Sequence, residues 1–365
     1  MLFGHGGDVY SLARELGIEP TEVLDFSSNC STLPYPEGFR SFLSENVNQL
    51  HLLPEVDSFS VRCKLSERYG LSPESFLLGS GTTQWIYALP RMLGIRRAVI
   101  PLPTYSDYRD ACMASGLEIE YLGPYPDGSR ESARRFSEDM LRLEETSLER
   151  SLVFICNPNN PTGLFIPPDL LLEVINHFSR AIWVVDEAYA PFVSDDKDSS
   201  IITRNLPSNL LVLRSFSKIY GIPGLRIGCL VTTGDIMEHL RSNERPWAVN
   251  RMAQLAAGFL LELPEYEELV RTSCQAEKKR IVSGLGRLPG LEYLPGETHF
   301  ALFRVQEPLS AEALVSSLKG KGMLIRDCAN FSGLSGDHIR ISPRMPGDNT
   351  RLIAAVKELA ASNSG

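Results

Sequence analysis

Between residues 75 and 235 the chain alternates short, continuously apolar runs with stretches of helical periodicity, and few folds accommodate that pattern. The apolar runs fall at 75–79, 97–101, 118–122, 152–156, 182–186, 210–214 and 227–231. Helical stretches are expected at 81–93, 106–115 and 169–178. A strand that is apolar on both faces needs cover on both faces. The pattern therefore predicts an α/β fold, a mostly parallel sheet flanked by helices. In such sheets ligands bind beyond the carboxyl ends of the strands, and the polar clusters here follow the strands.

From about residue 264 the pattern changes to helices with a few strands, among them 300–305 and 338–341. A second, smaller α+β domain is expected, with residues 41–250 forming the large domain and 1–40 and 251–365 the small one. No internal repeat or low-complexity stretch interrupts the chain.

Asp and Glu number 45 against 36 Lys and Arg, a net charge of −9. So acidic a body does not attract nucleic acid or an anionic membrane, and an anionic ligand needs a local basic pocket. The most apolar run, 181–185, is far shorter than the roughly 18–20 residues that span a bilayer. The first ten residues, with Gly6, Gly7 and Asp8, read as no secretory leader, so a cytoplasmic location is expected. The seven cysteines are scattered without a Cys-x-x-Cys pair, and the six histidines form no His-Glu-x-x-His. Neither a metal site nor a disulfide framework is expected.

Four clusters carry chemistry. Residues 79–83 (Gly-Ser-Gly-Thr-Thr) lie between a strand and a helix, where free N–H groups suit a phosphate. Residues 157–163 (Asn-Pro-Asn-Asn-Pro-Thr-Gly) form a stiff turn rich in amides, and Asp186 ends an apolar strand just before Tyr189. Lys218 follows Ser215 and Ser217, with Arg226 further on. Taken singly, each has an ordinary reading: a strand-to-helix turn, a tight turn, a helix cap, a surface lysine. Together they are the parts that hold pyridoxal phosphate: an amine for its aldehyde, a carboxylate for its ring nitrogen, and hydroxyls, an arginine and a helix start for its phosphate.

In order and spacing these clusters resemble the fold-type I pyridoxal-phosphate enzymes, specifically the class I/II aminotransferase group, over nearly the whole chain. The resemblance implies that Lys218 bonds the cofactor aldehyde and that Asp186 pairs with the pyridine nitrogen. Asn160 and Tyr189 then hydrogen-bond the ring's phenolic oxygen, and Tyr105 stacks on the ring. Gly81, Thr82, Thr83, Ser215, Ser217 and Arg226 form the phosphate cup. Lys218, Asp186 and Tyr189 are the implied catalytic residues, and a homodimer is the implied assembly.

Within the group, His5-Gly-Gly7, residues 24–29 (Leu-Asp-Phe-Ser-Ser-Asn), 246–250 (Pro-Trp-Ala-Val-Asn) and 325–330 (Ile-Arg-Asp-Cys-Ala-Asn) resemble threonine-phosphate decarboxylases. That subgroup removes CO₂ from L-threonine O-3-phosphate, giving (R)-1-amino-2-propanol O-2-phosphate in cobalamin biosynthesis. L-Serine O-phosphate is a further candidate substrate. By this resemblance His5, Gly6, Asn29, Asn160, Arg326 and Arg340 contact a small phosphorylated amino acid. Two arginines with planar donor forks suit a phosphate or carboxylate. Histidinol-phosphate aminotransferase is the alternative, and a catalytically silent binding protein on the same fold a second one. Two features stand apart. Trp247 taken alone reads as a core residue, and Leu53-Pro54 replaces the Tyr-Pro whose tyrosine, in relatives, reaches the cofactor phosphate across a dimer interface.

Overall fold

The computed structural model describes residues 6–334 and 336–362, so His5 lies outside the described residues. In chain order the strands are β1 (Leu24–Asp25), β2 (Phe76–Gly79), β3 (Arg97–Pro101), β4 (Glu118–Leu122), β5 (Ser151–Cys156), β6 (Ile182–Asp186) and β7 (Leu210–Ser215). They continue with β8 (Gly228–Val231), β9 (Leu291–Leu294), β10 (Ala301–Val305), β11 (Met323–Leu324), β12 (Arg326–Asp327) and β13 (His338–Ile341). A seven-stranded sheet has the order β2-β8-β7-β6-β5-β3-β4. Its strands run parallel except β8, which is antiparallel to both β2 and β7. The mostly parallel sheet read from the sequence is present.

Alternation along these strands feeds two separate cores. Val99, Val153, Trp183, Val185 and Val212 pack into one layer. Ala98, Leu152, Phe154, Val184 and Leu211 pack into the other. All six residues of β5 are buried, which is why it reads as an unbroken apolar run. The edge strand β4 instead exposes Glu118, Glu120 and Tyr121, and the two carboxylates discourage further pairing. The expected helices appear as Thr82–Met92, Ser106–Ala114 and Pro168–His177. A helix at Arg130–Leu141 was not foreseen. Its buried stripe of Ala133, Phe136 and Met140 is thin and flanked by charge.

A second, antiparallel sheet has the order β12-β13-β10-β9 and its own core, built from Phe303, Ile339, Leu318 and Leu352 among others. Phe26 belongs to that core. Just before it, β1 pairs in parallel with β11, Leu24 opposite Met323, so the N-terminal segment packs with this sheet. Among the described residues no helix is long and apolar enough to cross a membrane, and no cluster of His, Cys, Asp and Glu could hold a metal ion.

Candidate active site

The carboxyl ends of β5, β6 and β7 open onto one cavity of about 170 Å³. Asp186 closes β6 and lies opposite Cys156 of β5. Ser215 closes β7, and the single turn Phe216–Ile219 that follows carries Lys218. In β8, Gly228 lies opposite both Ser215 and Gly79. A Cβ on Gly228 would sit 2.9 Å from the Arg214 carbonyl oxygen and 2.9 Å from the Thr82 nitrogen. Only glycine lets the 79–83 turn come that close to Ser215.

One end of the cavity is cationic. The helix Thr82–Met92 begins there, bringing the N–H groups of Thr82 and Thr83 to its wall. Gly81 has φ +77°, and a Cβ on it would lie 2.5 Å from Arg226 Nη2. Arg226 itself is held at φ +55°, a left-handed conformation that L-residues adopt only under constraint. Ser217 Oγ is buried without a hydrogen-bond partner among the described residues. An orphaned hydroxyl, a helix start, a guanidinium and a glycine cradle are a donor set that fits a phosphate dianion.

The other end is anionic. Asp186 is 4% exposed, and burial pushes its carboxyl up to about 6. Its Oδ1 accepts from the Ala188 N–H at 3.0 Å and its Oδ2 from the Tyr108 hydroxyl at 2.9 Å, both favouring the charged form. Tyr108 stacks on Phe154, ring centroids 5.0 Å apart. Sequence reasoning missed Tyr108, and nothing local marks it beyond an aromatic three positions after Tyr105. Tyr105 also lines the cavity, its hydroxyl bonded to Asp107 Oδ2 at 2.8 Å. Between the two ends sits Lys218, with Cys30 Sγ 3.8 Å from its Nζ. In the sequence Cys30 is marked only as one of seven scattered cysteines.

The asparagine turn divides its labour. Asn157 exchanges hydrogen bonds with the Ile166 backbone, both at 2.8 Å. Asn159 donates to the Pro103 carbonyl and Thr162 and accepts from Thr104. Both are structural, and only Asn160 turns its side chain to the cavity, where its Oδ1 accepts from Arg340 Nη1. Tyr189 accepts a hydrogen bond from Asn29 Nδ2 at 3.2 Å, while Asn29 Oδ1 accepts from Ser342.

A smaller cavity of about 90 Å³ adjoins the first through Tyr105, Asn160, Tyr189 and Lys218. Gly6, Asn29, Arg326 and Arg340 line it, so the described residues expected to contact substrate lie together. A Cβ on Gly6 would fall 2.3 Å from the Ser27 carbonyl oxygen, so this crossing of the chain admits only glycine. Arg340 is 4% exposed, donates from Nη2 to that carbonyl at 2.6 Å, and lies 5.3 Å over the Phe300 ring. Arg326 is 8% exposed, donates to Asn330 Oδ1 at 2.6 Å, and lies 4.9 Å over Phe331. Neither forms an ion pair with a carboxylate among the described residues. Trp247, read as core, is instead 47% exposed with φ +56°, and Leu53 is 74% exposed. The Trp247 N–H bonds the Val56 carbonyl, which holds the residue at the surface beside the 50–59 segment.

A phosphate cup, a lysine and a buried carboxylate arranged across one cavity are what a pyridoxal-phosphate enzyme requires. The chain belongs to the aminotransferase class I and II family, whose model matches residues 21–356, and the family depends on pyridoxal phosphate. It is 32% identical over 360 residues to the threonine-phosphate decarboxylase of Salmonella typhimurium, covering 97% of this chain and 96% of that one. The adenosylcobalamin biosynthesis bifunctional protein CobDQ of Leptospira interrogans is 29% identical over 360 residues, and this chain spans 41% of its length. Histidinol-phosphate aminotransferase 2 of Archaeoglobus fulgidus is 31% identical over 340 residues, 93% of each chain. Among solved structures, L-threonine-O-3-phosphate decarboxylase from Porphyromonas gingivalis superposes with a TM-score of 0.80 at 28% identity, covering 92% of this chain and 99% of that one. Histidinol-phosphate aminotransferase from Sinorhizobium meliloti in complex with pyridoxal-5'-phosphate shares the fold at a TM-score of 0.83 and 22% identity, covering 97% and 94%.

Proposed function

We propose that this enzyme decarboxylates L-threonine O-3-phosphate to (R)-1-amino-2-propanol O-2-phosphate and CO₂, a reaction of cobalamin biosynthesis. When bound, pyridoxal phosphate supplies a ring that accepts the electron pair left on the substrate's Cα. Lys218 is the amine that bonds the cofactor. Thr82, Thr83, Ser215, Ser217 and Arg226 hold its phosphate around Gly81. Asp186, oriented by Tyr108 and the Ala188 N–H, would pair with its ring nitrogen, and Asn160 and Tyr189 would hydrogen-bond its phenolic oxygen. Tyr105 would stack on the ring.

The observation that carries the substrate reading is the pair Arg326 and Arg340. Two buried guanidiniums share the cavity beside Lys218, and their polar partners are neutral: Asn330, Asn160 and the Ser27 carbonyl. They take the substrate's phosphate, and Gly6 and Asn29 close the pocket. The carboxylate, left without a clamp, is then the group free to leave. Incubation with L-threonine O-3-phosphate and no keto acid is expected to release CO₂ and the new amine in equal amounts. L-Serine O-phosphate in the same assay measures the pocket's tolerance for the missing methyl. The Archaeoglobus relative favours a second reading, amino transfer from glutamate in histidinol-phosphate synthesis. Glutamate formed from histidinol phosphate and 2-oxoglutarate, without CO₂ from threonine phosphate, would establish that reading instead.

The working assembly is proposed to be a homodimer in the cytoplasm. Support comes from the exposed apolar side chains Leu50, Leu52, Leu53, Val56 and Phe59, with Trp247 beside them. Light scattering on the purified protein tests the dimer. Leu53 brings no hydroxyl to a neighbouring site.

A further inference from the structure

We propose that Cys30 is a positioning residue for Lys218, its sulfur docking the lysine amine whenever that amine is not bonded to cofactor. The proposal rests on the reading of Lys218 as the cofactor lysine. Cys30 is 8% exposed, and its Sγ accepts a long hydrogen bond from Lys218 Nζ at 3.8 Å. The chain is tied down on both sides of it. Asn29 Nδ2 donates to the Tyr189 hydroxyl at 3.2 Å, and the Ser31 N–H donates to the Lys218 carbonyl at 2.9 Å. Behind the lysine, a Cβ on Gly221 would lie 2.7 Å from the Ser31 carbonyl oxygen, so the loop after Lys218 is packed against the same segment. With the backbones of 29–31 and 218–221 in this register, the thiol faces the amine.

In pyridoxal-phosphate chemistry the lysine alternates between a bonded and a free amine, because the substrate's amine takes its place. A freed, protonated amine away from water needs a partner. Asp186, Tyr189, Arg226, Arg340 and the buried His299 are the other titratable groups around it. The two arginines repel an ammonium, and burial keeps His299 neutral. Lys218 is nonetheless raised above the ordinary lysine value, first by the Cys30 sulfur and then by Tyr189, with burial and the arginines opposing. The Cys30 sulfur is the acceptor that faces the docked amine, and only the neutral amine attacks a carbonyl carbon.

The test mixes full-length, cofactor-free enzyme with pyridoxal phosphate and follows the rate at which the absorbance of the lysine-bound cofactor appears, as a function of pH. Cys30→Ala is expected to move the rise in that rate to lower pH. Cys30→Ser, which keeps a hydrogen-bonding atom, should fall between Ala and the parent. A second readout uses o-phthalaldehyde, whose two aldehydes join a neighbouring amine and thiol into one fluorescent isoindole with loss of two molecules of water. Peptide masses should show a Cys30–Lys218 adduct in the parent, absent from both variants and blocked by bound pyridoxal phosphate. An unchanged pH dependence in both variants, or no such adduct, overturns the proposal. Borohydride reduction keeps the two failures apart: cofactor fixed on another lysine would instead refute the reading of Lys218.

Discussion

Arg326 and Arg340 are direct cross-strand partners, opposite each other in the antiparallel pair β12–β13. Residues in that register project from the same face of a sheet, and like charges placed so are mutually destabilising. Each guanidinium is lowered from its ordinary value, Arg326 by burial and then by Arg340, and Arg340 by burial. A pair that repels itself in a buried pocket is stabilised by a dianion between its members. Arg326→Lys keeps the charge and loses the planar fork, a change that commonly costs about 2 kcal/mol or more at a desolvated site. Binding of threonine phosphate should weaken on the order of 30-fold or more, while unphosphorylated threonine is barely affected. Calorimetry with both ligands checks this, and equal weakening would place the carboxylate, not the phosphate, between the arginines.

Asp186 carries a cost in the cofactor-free protein. Its carboxyl is raised from 3.8 to about 6, so between those values the folded chain holds a proton that the unfolded chain has released. Stability therefore falls as pH rises through that window and levels off above it. Asp186→Asn should make the cofactor-free protein more stable at pH 7 by about 3 kcal/mol, with little difference at pH 4. The same variant should lose on the order of 100-fold or more in turnover, because no anion then supports the protonated ring. Thermal melts at both pH values and a turnover assay separate the two effects.

Lys218 should be the lysine trapped when borohydride reduces the yellow enzyme. Lys218→Ala is expected to lose the reducible link while retaining weaker binding through the phosphate cup. Lys278 is the informative control. Burial lowers it to about 8, yet its Nζ donates to the Gly296 and Thr298 carbonyls, away from the cavity lining. Peptide mapping that found cofactor on Lys278 would overturn the assignment.

Gly228→Ala tests the cup through a residue that makes no contact of its own with the cavity. The new methyl meets backbone, the Arg214 oxygen and the Thr82 nitrogen, and neither can step aside as a side chain would. The expected cost is about 1–3 kcal/mol of stability together with a displaced helix start. Cofactor should wash out on dialysis faster than from the parent, read by absorbance. Full retention would mean the 79–83 turn does not depend on that close approach.

What the sequence made legible was what repeats or what sits at a strand's end. Continuous apolar runs such as β5 announce burial on both faces, and Asp186 and Lys218 stand where such strands stop. Partners brought in from far along the chain left no local trace: Tyr108 reaches Asp186 across 78 residues and Cys30 reaches Lys218 across 188. The turn at 157–163 shows the same limit. Asn157, Asn159 and Asn160 are alike as letters, and only the Ile166 carbonyl further along the same loop and the Pro103 carbonyl from another make two of them structural. Trp247 failed as a core residue because the Val56 carbonyl fixes its backbone at the surface, which hydrophobicity alone does not foretell.

The stretch from Phe26 to Ser31 is fastened at both ends, the Phe26 N–H to the Leu324 carbonyl and the Ser31 N–H to the Lys218 carbonyl. A segment pinned at two fixed points behaves as a ruler. One residue inserted or deleted there leaves the anchors intact but turns Asn29 and Cys30 away from Tyr189 and Lys218. Across homologous chains, then, this stretch should tolerate exchanges of residue type while resisting any change in length, even though it lies far from the lysine in sequence.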